Sequence, residues 1–175
     1  MIKTVIAGAF TMALVSLGAN AANQGAGVIN FKGTVINAPC GIAPESADQS
    51  IDFGQISKSH LEASGTSVKK NLDIKLVNCD ATELATTGGV KVSFTGTTIN
   101  TQIKELGTAG DTGTAVVVSE ASGNLVSFDG TAGAATKLQA GDNTLRYSTW
   151  VKKATGGNLK EGDFTAVANF NLTYE

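Results

Sequence analysis

The chain has 175 residues, of which 42% are hydrophobic and 16% are charged, and its 13 basic and 15 acidic residues give a net charge of −2. This length suits one domain with a sizeable core, and the apolar content argues against disorder over the body of the chain. The slightly acidic balance argues against a protein that binds nucleic acid or an anionic membrane surface.

The N-terminus carries the pattern of a secretory signal peptide. Met1-Ile2-Lys3 is a short basic start, residues 5–15 are almost all apolar, and Ala19-Asn20-Ala21 fits a small-x-small cleavage site. The apolar stretch is shorter than the roughly 20 residues that a membrane-spanning helix needs. We therefore expect residues 1–21 to be removed on export, with a retained N-terminal anchor as the alternative.

The residues after the predicted cleavage site begin without large apolar side chains and then alternate between glycine or apolar residues and other residues. Residues 22–27 hold no large apolar side chain, and residues 28–38 have the composition of a strand. Four residues would point to one side of an extended chain: Gly25, Gly27, Ile29 and Phe31. A monomer gains little from such an extension, whereas a polymer gains from pairing it with a neighbour's exposed sheet edge.

The two cysteines of the chain are Cys40 and Cys79. In an exported protein an even number of cysteines indicates a disulfide, here closing a loop of about 40 residues. Two buried thiols are the alternative, and a zinc site would also have to recruit carboxylates. We predict that the disulfide joins the strand over residues 28–38 to the strand over residues 71–79.

The rest of the chain shows strand patterns separated by turns and no long helical period. Residues 41–49 and 57–70 look like loops, and residues 120–123 look like the turn of a hairpin. Residues 51–56 are short and apolar around Gly54, and the predicted strands cover residues 71–79, 90–95, 114–119, 124–128, 145–151 and 164–174. Several short strands of this kind predict an all-β sandwich or barrel.

Motifs that would carry catalysis or nucleotide binding are weak. Asp52-Phe53-Gly54 matches a kinase magnesium motif, and Gly25-Ala26-Gly27 begins like a dinucleotide loop, but each lacks its surrounding pattern. His60, the single histidine, lies in a polar stretch without a nucleophile to activate.

The carboxylates of the chain do not indicate a calcium site or a glycosidase site. Aspartates beside glycines fit turns better than a calcium loop. Six glutamates look loop-borne and solvated, which argues against a paired-carboxylate glycosidase: Glu45, Glu62, Glu83, Glu105, Glu120 and Glu161. We therefore predict no enzyme, no catalytic residues, no cofactor and no metal.

Several stretches together resemble the chaperone–usher fimbrial subunits of the P-pilus and type 1 kind. They follow the signal peptide in the family's order: Asn30-Phe31-Lys32-Gly33-Thr34-Val35, Ala38-Pro39-Cys40, Ile51-Asp52-Phe53-Gly54-Gln55-Ile56, Leu76-Val77-Asn78-Cys79 and Phe164-Thr165-Ala166-Val167-Ala168-Asn169-Phe170-Asn171-Leu172-Thr173-Tyr174. The likeness covers the whole chain and is closest to the major, rod-forming subunit.

This resemblance implies an incomplete immunoglobulin-like sandwich of six strands, whose seventh strand is supplied by another chain. It implies a signal peptide over residues 1–21, a donor-strand extension over residues 22–32 and a pilin domain over residues 33–175. A periplasmic chaperone would first bind the last strand, which the family marks by a penultimate aromatic residue and a glycine fourteenth from the C-terminus. The predicted acceptor residues are Gly162, Phe164, Ala166, Ala168, Phe170, Leu172 and Tyr174.

The same resemblance implies a structural subunit, the major one, of an adhesive fimbria on the bacterial surface. It would be exported through the periplasm and would polymerise by donor-strand exchange at an outer-membrane usher. Its partners would be copies of itself, other pilins, the chaperone and the usher. A minor adaptor or terminator pilin and a secreted monomeric β-sandwich binding module are the alternatives.

Overall fold

The computed structural model describes residues 27–87 and 89–175. The predicted signal peptide and residues 22–26 of the predicted donor extension lie outside these residues. Contacts within the chain divide it between Val35 and Ile36, and the unit Ile36–Glu175 contains every helix and strand of the described residues.

This unit is built mainly from strands. The described residues contain nine strands: β1 Gly41–Ile42, β2 Lys70–Cys79, β3 Val90–Gly96, β4 Thr98–Ile99, β5 Gln102–Gly107, β6 Thr114–Glu120, β7 Asp129–Ala132, β8 Gly141–Lys153 and β9 Ala168–Tyr174. They also contain three helices of four or five residues: α1 Pro44–Ala47, α2 Lys58–Glu62 and α3 Ala81–Leu84.

The strands form two antiparallel sheets with the core between them. The larger sheet has the order β1-β2-β8-β6-β5-β4, and the smaller has the order β7-β3-β9. Alternation in β3 turns Val90, Val92 and Phe94 into the core, where each is at most 5% exposed. Side chains from the larger sheet join them in one buried cluster, including Ile74, Leu76, Val116, Val118, Leu145 and Val151.

The prediction of an all-β sandwich is confirmed, although the described chain has nine strands where six were expected. The additional strands are partly very short, since β1 and β4 have two residues each. The region over residues 41–49 was predicted as a loop, but it contains β1 and α1. The region over residues 57–70 contains α2, whose first turn is capped by the Ser57 hydroxyl.

The predicted disulfide between Cys40 and Cys79 is present. Both cysteines are buried, and the Asn143 Nδ2 donates a hydrogen bond to the Cys79 Sγ at 3.4 Å. The disulfide fastens the start of β1 to the end of β2. It does not start from a strand over residues 28–38, because that strand is not formed and residues 37–40 form bends.

The predicted hairpin after β6 is wrong in its second half. Backbone hydrogen bonds link Glu120 to Asn124 and Val126 to Val118, but residues 124–128 form only a single bridge, between Ser119 and Leu125. The chain then crosses to the other sheet, where β7 pairs with β3. Phe128 is 2% exposed and its ring meets that of Phe94 edge to face, so burial of this side chain accompanies the crossing.

Glu105 was predicted to be solvated, and this was wrong. It lies in β5 with its side chain 8% exposed. Its carboxylate accepts hydrogen bonds from the Lys152 Nζ at 2.6 Å, the Thr155 N–H at 2.8 Å and the Thr155 hydroxyl at 2.6 Å. A buried charge that is paired and fully hydrogen-bonded is tolerated in a protein interior.

Candidate strand-binding site

The last strand, β9, is an open edge of the smaller sheet. It has seven residues, Ala168–Tyr174, and pairs along its whole length with β3. Within the described residues no strand lies on its other side. An edge of this length presents a row of unpaired backbone groups to any chain that can add a strand.

The backbone groups that face this open side can be identified from the register. Gly89 and Glu175 exchange both of their N–H···O bonds, so the odd-numbered residues of β9 are the ones bonded to β3. The N–H and C=O groups of Phe170, Leu172 and Tyr174 therefore point away from β3. These groups are available to an added strand.

The same three residues turn their side chains towards the core. Phe170, Leu172 and Tyr174 are half-buried and pack against the buried cluster, as does Phe164 before the strand begins. Phe170 lies opposite Phe94 of β3 in the register. Each of these side chains would bury more area if a strand covered the edge, at about 25 cal/mol for each Å² of apolar surface.

A second unpaired segment lies near the start of this edge. Residues 51–56 form no strand, and no backbone–backbone hydrogen bond of the described residues uses them. Phe53 and Ile56 are nevertheless half-buried and pack against the core. This segment and residues 159–164 line the same cavity, of about 590 Å³, together with Thr112 and Thr114.

Two glycines determine the backbone path at the end of the site where this cavity lies. A Cβ at Gly110 would collide with the carbonyl oxygen of Asp163, so the close approach of these two chain segments requires glycine. Gly162 has φ +142° and lines the cavity beside Thr112. At φ +142° a side chain would be strained, so Gly162 lets the chain bend before it reaches Phe164.

The other end of the site holds two polar groups of the C-terminus. Burial raises the pKa of the Tyr174 hydroxyl, so this group stays neutral, and within the described residues its oxygen is buried without a hydrogen-bond partner. The side chain of Glu175 forms an ion pair with the Lys91 Nζ at 2.5 Å.

Four of the seven predicted acceptor residues are thus apolar groups that pack against the core, and Gly162 lines the cavity. Ala166 and Ala168 are exposed. Ala166 falls before β9, because Thr165 pairs instead with Ala109 in an isolated bridge. The predicted strand over residues 164–174 is therefore shortened at its start.

The predicted donor residues lie in the other unit of the chain. Residues 27–36 form no helix or strand, with Ile29 77% and Phe31 90% exposed. Apart from its chain neighbours, no heavy atom of the described residues lies within 4 Å of a Cβ built on Gly27. Gly25 lies outside the described residues. The strand predicted over residues 28–38 is absent, because a strand needs a partner for its backbone groups and this stretch pairs with none.

Sequence reasoning did not identify residues 51–56 as part of this site. The available signal was the spacing of Ile51 and Phe53, which places two apolar side chains on one side of an extended segment. Asp52 has a turn-forming role here, since its Oδ1 accepts a hydrogen bond from the Gly54 N–H at 2.7 Å.

Over residues 27–87 and 89–175, no three His, Cys, Asp or Glu side chains cluster in a way that could hold a metal ion. Within those ranges, no helix is long and apolar enough to cross a membrane. The His60 Nε2 lies 3.1 Å from the Thr66 carbonyl oxygen.

Comparison with known proteins gives consistent matches along the chain. The fimbrial protein family model matches residues 29–175. The chain is 54% identical to the Pap fimbrial major pilin protein of Escherichia coli, with 100% of both chains covered. It resembles the crystal structure of the P pilus rod subunit PapA with a TM-score of 0.75 and 52% identity, covering 79% of this chain and 100% of that one. A subunit in the structure of a chaperone–usher pilus gives a TM-score of 0.81 and 53% identity, covering 87% and 97%.

Proposed function

Because the chain belongs to the fimbrial protein family, we propose that it joins to its neighbours by strand exchange, its N-terminal segment pairing with β9 of the next copy. The chain itself is a structural subunit of a bacterial surface fibre, exported to the cell surface. Its family is one of structural pilus proteins, and we infer no catalytic role for this member. We further propose that it is the major subunit of its fibre.

The open side of β9 carries this proposal. It offers outward N–H and C=O groups at three alternate residues, and the side chains of those residues are half-buried. An added strand would satisfy the backbone groups, each hydrogen bond contributing about 0.5–1.5 kcal/mol. Donor-strand complementation of a pilin by its chaperone is a known form of strand addition.

The N-terminal segment has the complementary properties. The residues of 22–32 that would face the groove are Gly25, Gly27, Ile29 and Phe31, and the two large ones are exposed within their own chain. Burying Ile29 and Phe31 in a neighbour would contribute about 1.5–3 kcal/mol each. Gly27 would let the donor backbone lie close to the groove floor, where a side chain would clash.

This pairing is head-to-tail, because the donor and the acceptor are different parts of the chain. A head-to-tail contact whose rotation does not close produces an open filament. A monomeric β-sandwich binding module would have no use for an open seven-residue edge, so the edge favours the polymer.

A periplasmic chaperone and an outer-membrane usher complete the proposal. A subunit that left Phe170 and Leu172 half-covered would expose an apolar sheet edge, which promotes aggregation. We infer that the chaperone covers β9 until the next subunit's donor segment replaces it at the usher.

Deletion of residues 22–27 tests the proposed function. We expect a chaperone-bound subunit in the periplasm and no fibres by electron microscopy, because the subunit keeps its acceptor edge and loses part of its donor. Gly27→Arg should have the same effect by steric block. Gln24→Arg is the matched control, since it adds the same charge on the polar side of the alternating pattern. Fibres of normal number and length from both the deletion and Gly27→Arg would show that the segment is not the donor.

A further inference from the structure

A second long strand of the described chain has a side that no strand covers along most of its length. β2 has ten residues, Lys70–Cys79, but β1 pairs with it only at Leu76 and Val77. On the side away from β8, the part from Lys70 to Lys75 has no neighbouring strand. By length alone this side of β2 could accept an added strand almost as well as β9.

The backbone groups on this side of β2 belong to its odd-numbered residues. The Ala43 N–H donates to the Lys75 carbonyl oxygen at 3.0 Å, which shows that Lys75 points its groups away from β8. Because the direction alternates along a strand, Asp73 and Asn71 point the same way. An incoming strand would have to bond to these groups.

Side chains of the segment after β1 already occupy two of these groups, the Lys75 N–H and the Asp73 carbonyl oxygen. The Lys75 N–H donates to the Ser46 Oγ at 2.9 Å, and the Ser46 Oγ donates to the Asp73 carbonyl oxygen at 3.3 Å. The Gln49 Nε2 donates to the same carbonyl oxygen at 3.0 Å and to the Ser46 carbonyl oxygen at 3.2 Å. One hydroxyl thus supplies an acceptor and a donor, as the backbone of a neighbouring strand would.

Local structure explains why side chains and not backbone cover β2 here. β1 ends at Ile42, and Pro44 at the first turn of α1 has no N–H to continue the ladder. The short helix then turns Ser46 onto β2, where it is 2% exposed. A hydroxyl buried to this extent and bonded on both sides is held in one position.

The geometry points to Ser46 and Gln49 as specificity-determining residues that close β2 to incoming strands and leave β9 as the acceptor. This inference rests on the proposed strand exchange at β9. In the described residues, no side chain hydrogen-bonds to the outward backbone groups of Phe170, Leu172 or Tyr174. A subunit with one acceptor edge and one donor gives an unbranched chain, whereas a second acceptor edge would permit branching.

Counting bound donor peptides tests the inference. The mature full-length chain is refolded with an excess of a synthetic peptide of residues 22–36, and the number of peptides per subunit is measured by native mass spectrometry. We expect one peptide on the unaltered chain and two on the Ser46→Ala/Gln49→Ala variant. Glu45→Ala is the matched control, because it removes an exposed ion pair with Lys75 from the same helix and leaves the β2 backbone groups covered. It should bind one peptide.

A rescue variant separates edge closure from a general loss of stability. The Asp73 N–H points to the open side and has no hydrogen-bond partner among the described residues, so proline at position 73 breaks no bond to β8. Adding Asp73→Pro to the double variant should return the count from two peptides to one. A loss of stability alone would not be reversed by this proline.

The outcomes distinguish this inference from the proposed function. If the unaltered chain binds no peptide, strand exchange at β9 fails and the inference fails with it. If the unaltered chain binds one peptide and the double variant also binds one, only the role of Ser46 and Gln49 is overturned. Should the double variant not fold, Gln49→Glu replaces the donor to the Asp73 carbonyl with a carboxylate. It should bind a second peptide, and a count of one would overturn the inference.

Discussion

The two ends of the described chain share an alternating apolar pattern but have different structures. Ile29 and Phe31 alternate with smaller or polar residues, as do Phe170 and Leu172. The C-terminal stretch forms β9 on β3, whereas residues 27–36 form no strand and Phe31 is 90% exposed. Alternation therefore specifies that a stretch can form a strand, and the presence of a partner decides whether it does so in a single chain.

The two ends are also complementary, because β9 has an uncovered side and residues 27–36 have exposed apolar side chains. β9 has a strand's backbone conformation and an uncovered side, and residues 27–36 have apolar side chains without a surface to cover. Substitutions at the two ends should therefore separate folding of a subunit from its assembly. The effect on the stability of the unit Ile36–Glu175 should be largest for a substitution in β9 and smallest for one in residues 27–36.

Phe170→Asp should have the largest effect on stability. The Phe170 side chain packs against the core and faces Phe94 across the register. Removing a packed phenylalanine and placing a carboxylate there should lower the free energy of unfolding by about 5 kcal/mol. Urea denaturation of the refolded chain measures this loss, and recovery of a chaperone complex should fall to background.

Asn171→Asp is the matched control for this prediction, because Asn171 is the next residue of β9 and its side chain is exposed on the other face. It adds the same charge and should leave both stability and chaperone recovery close to those of the unaltered chain. Full recovery of the complex with Phe170→Asp would mean that β9 is not the strand that the chaperone binds.

Replacing both cysteines, Cys40→Ser and Cys79→Ser, should lower the free energy of unfolding by about 4 kcal/mol. The disulfide spans 39 positions in sequence, and a loop of that length restricts the unfolded chain by roughly this amount. The same loss should appear when the unaltered chain is unfolded in a reducing agent. An unchanged urea midpoint in both experiments would mean that the bond contributes nothing to stability.

Much of the fold could be predicted from local patterns. The alternation of Leu72, Ile74 and Leu76 predicted a strand over residues 71–79, and β2 begins one residue earlier. The pattern of Val90, Val92 and Phe94 likewise gave β3. In both strands one face is buried, so every second side chain is buried and every second residue is apolar.

The errors arise where a distant contact decides the structure. Residues 28–38 have strand-like composition, but they have no backbone partner in the described residues. Glu105 was predicted to be solvated because it looked loop-borne, whereas its burial depends on Lys152 and Thr155, which follow about 50 positions later. Contacts between residues so far apart in sequence cannot be predicted from a local sequence pattern.

Glu105→Gln should therefore destabilise the folded unit, by about 3 kcal/mol at neutral pH. The neutral amide removes the charge that pairs with the Lys152 ammonium and leaves one oxygen to accept three hydrogen bonds that two oxygens accepted before. Burial raises the pKa of Glu105, but hydrogen bonds from Lys152 and Thr155 outweigh it and hold the pKa below its usual 4.5. The stability that this carboxylate contributes is present above pH 4.5 and is lost as the pH falls through its lowered pKa.

Urea denaturation as a function of pH checks this prediction. The unaltered chain should lose stability below pH 4.5 more steeply than Glu105→Gln. Glu62→Gln is the control, because Glu62 pairs with Lys58 at 3.7 Å on an exposed helix surface and should change stability by less than about 0.5 kcal/mol. If the free energy of unfolding depended on pH in the same way for the unaltered chain and for Glu105→Gln, Glu105 would not be a cause of the loss of stability in acid.

Phe31→Asp should have the smallest effect on stability and a complete effect on assembly. The Phe31 side chain is 90% exposed in its own chain, so the free energy of unfolding should change by less than about 0.5 kcal/mol. In the proposed fibre the same side chain is buried in a neighbour's groove, where a carboxylate would be left without a partner. Fibre yield should therefore fall to zero while the subunit remains folded. Asn30→Asp adds the same charge on the polar side of the segment and should still give fibres.

Phe170→Asp and Phe31→Asp thus replace the same residue type with the same charge at opposite ends, and only the first should change the urea midpoint. A large shift of that midpoint with Phe31→Asp would mean that the segment is held within its own subunit, and the two ends would then no longer differ in the way proposed.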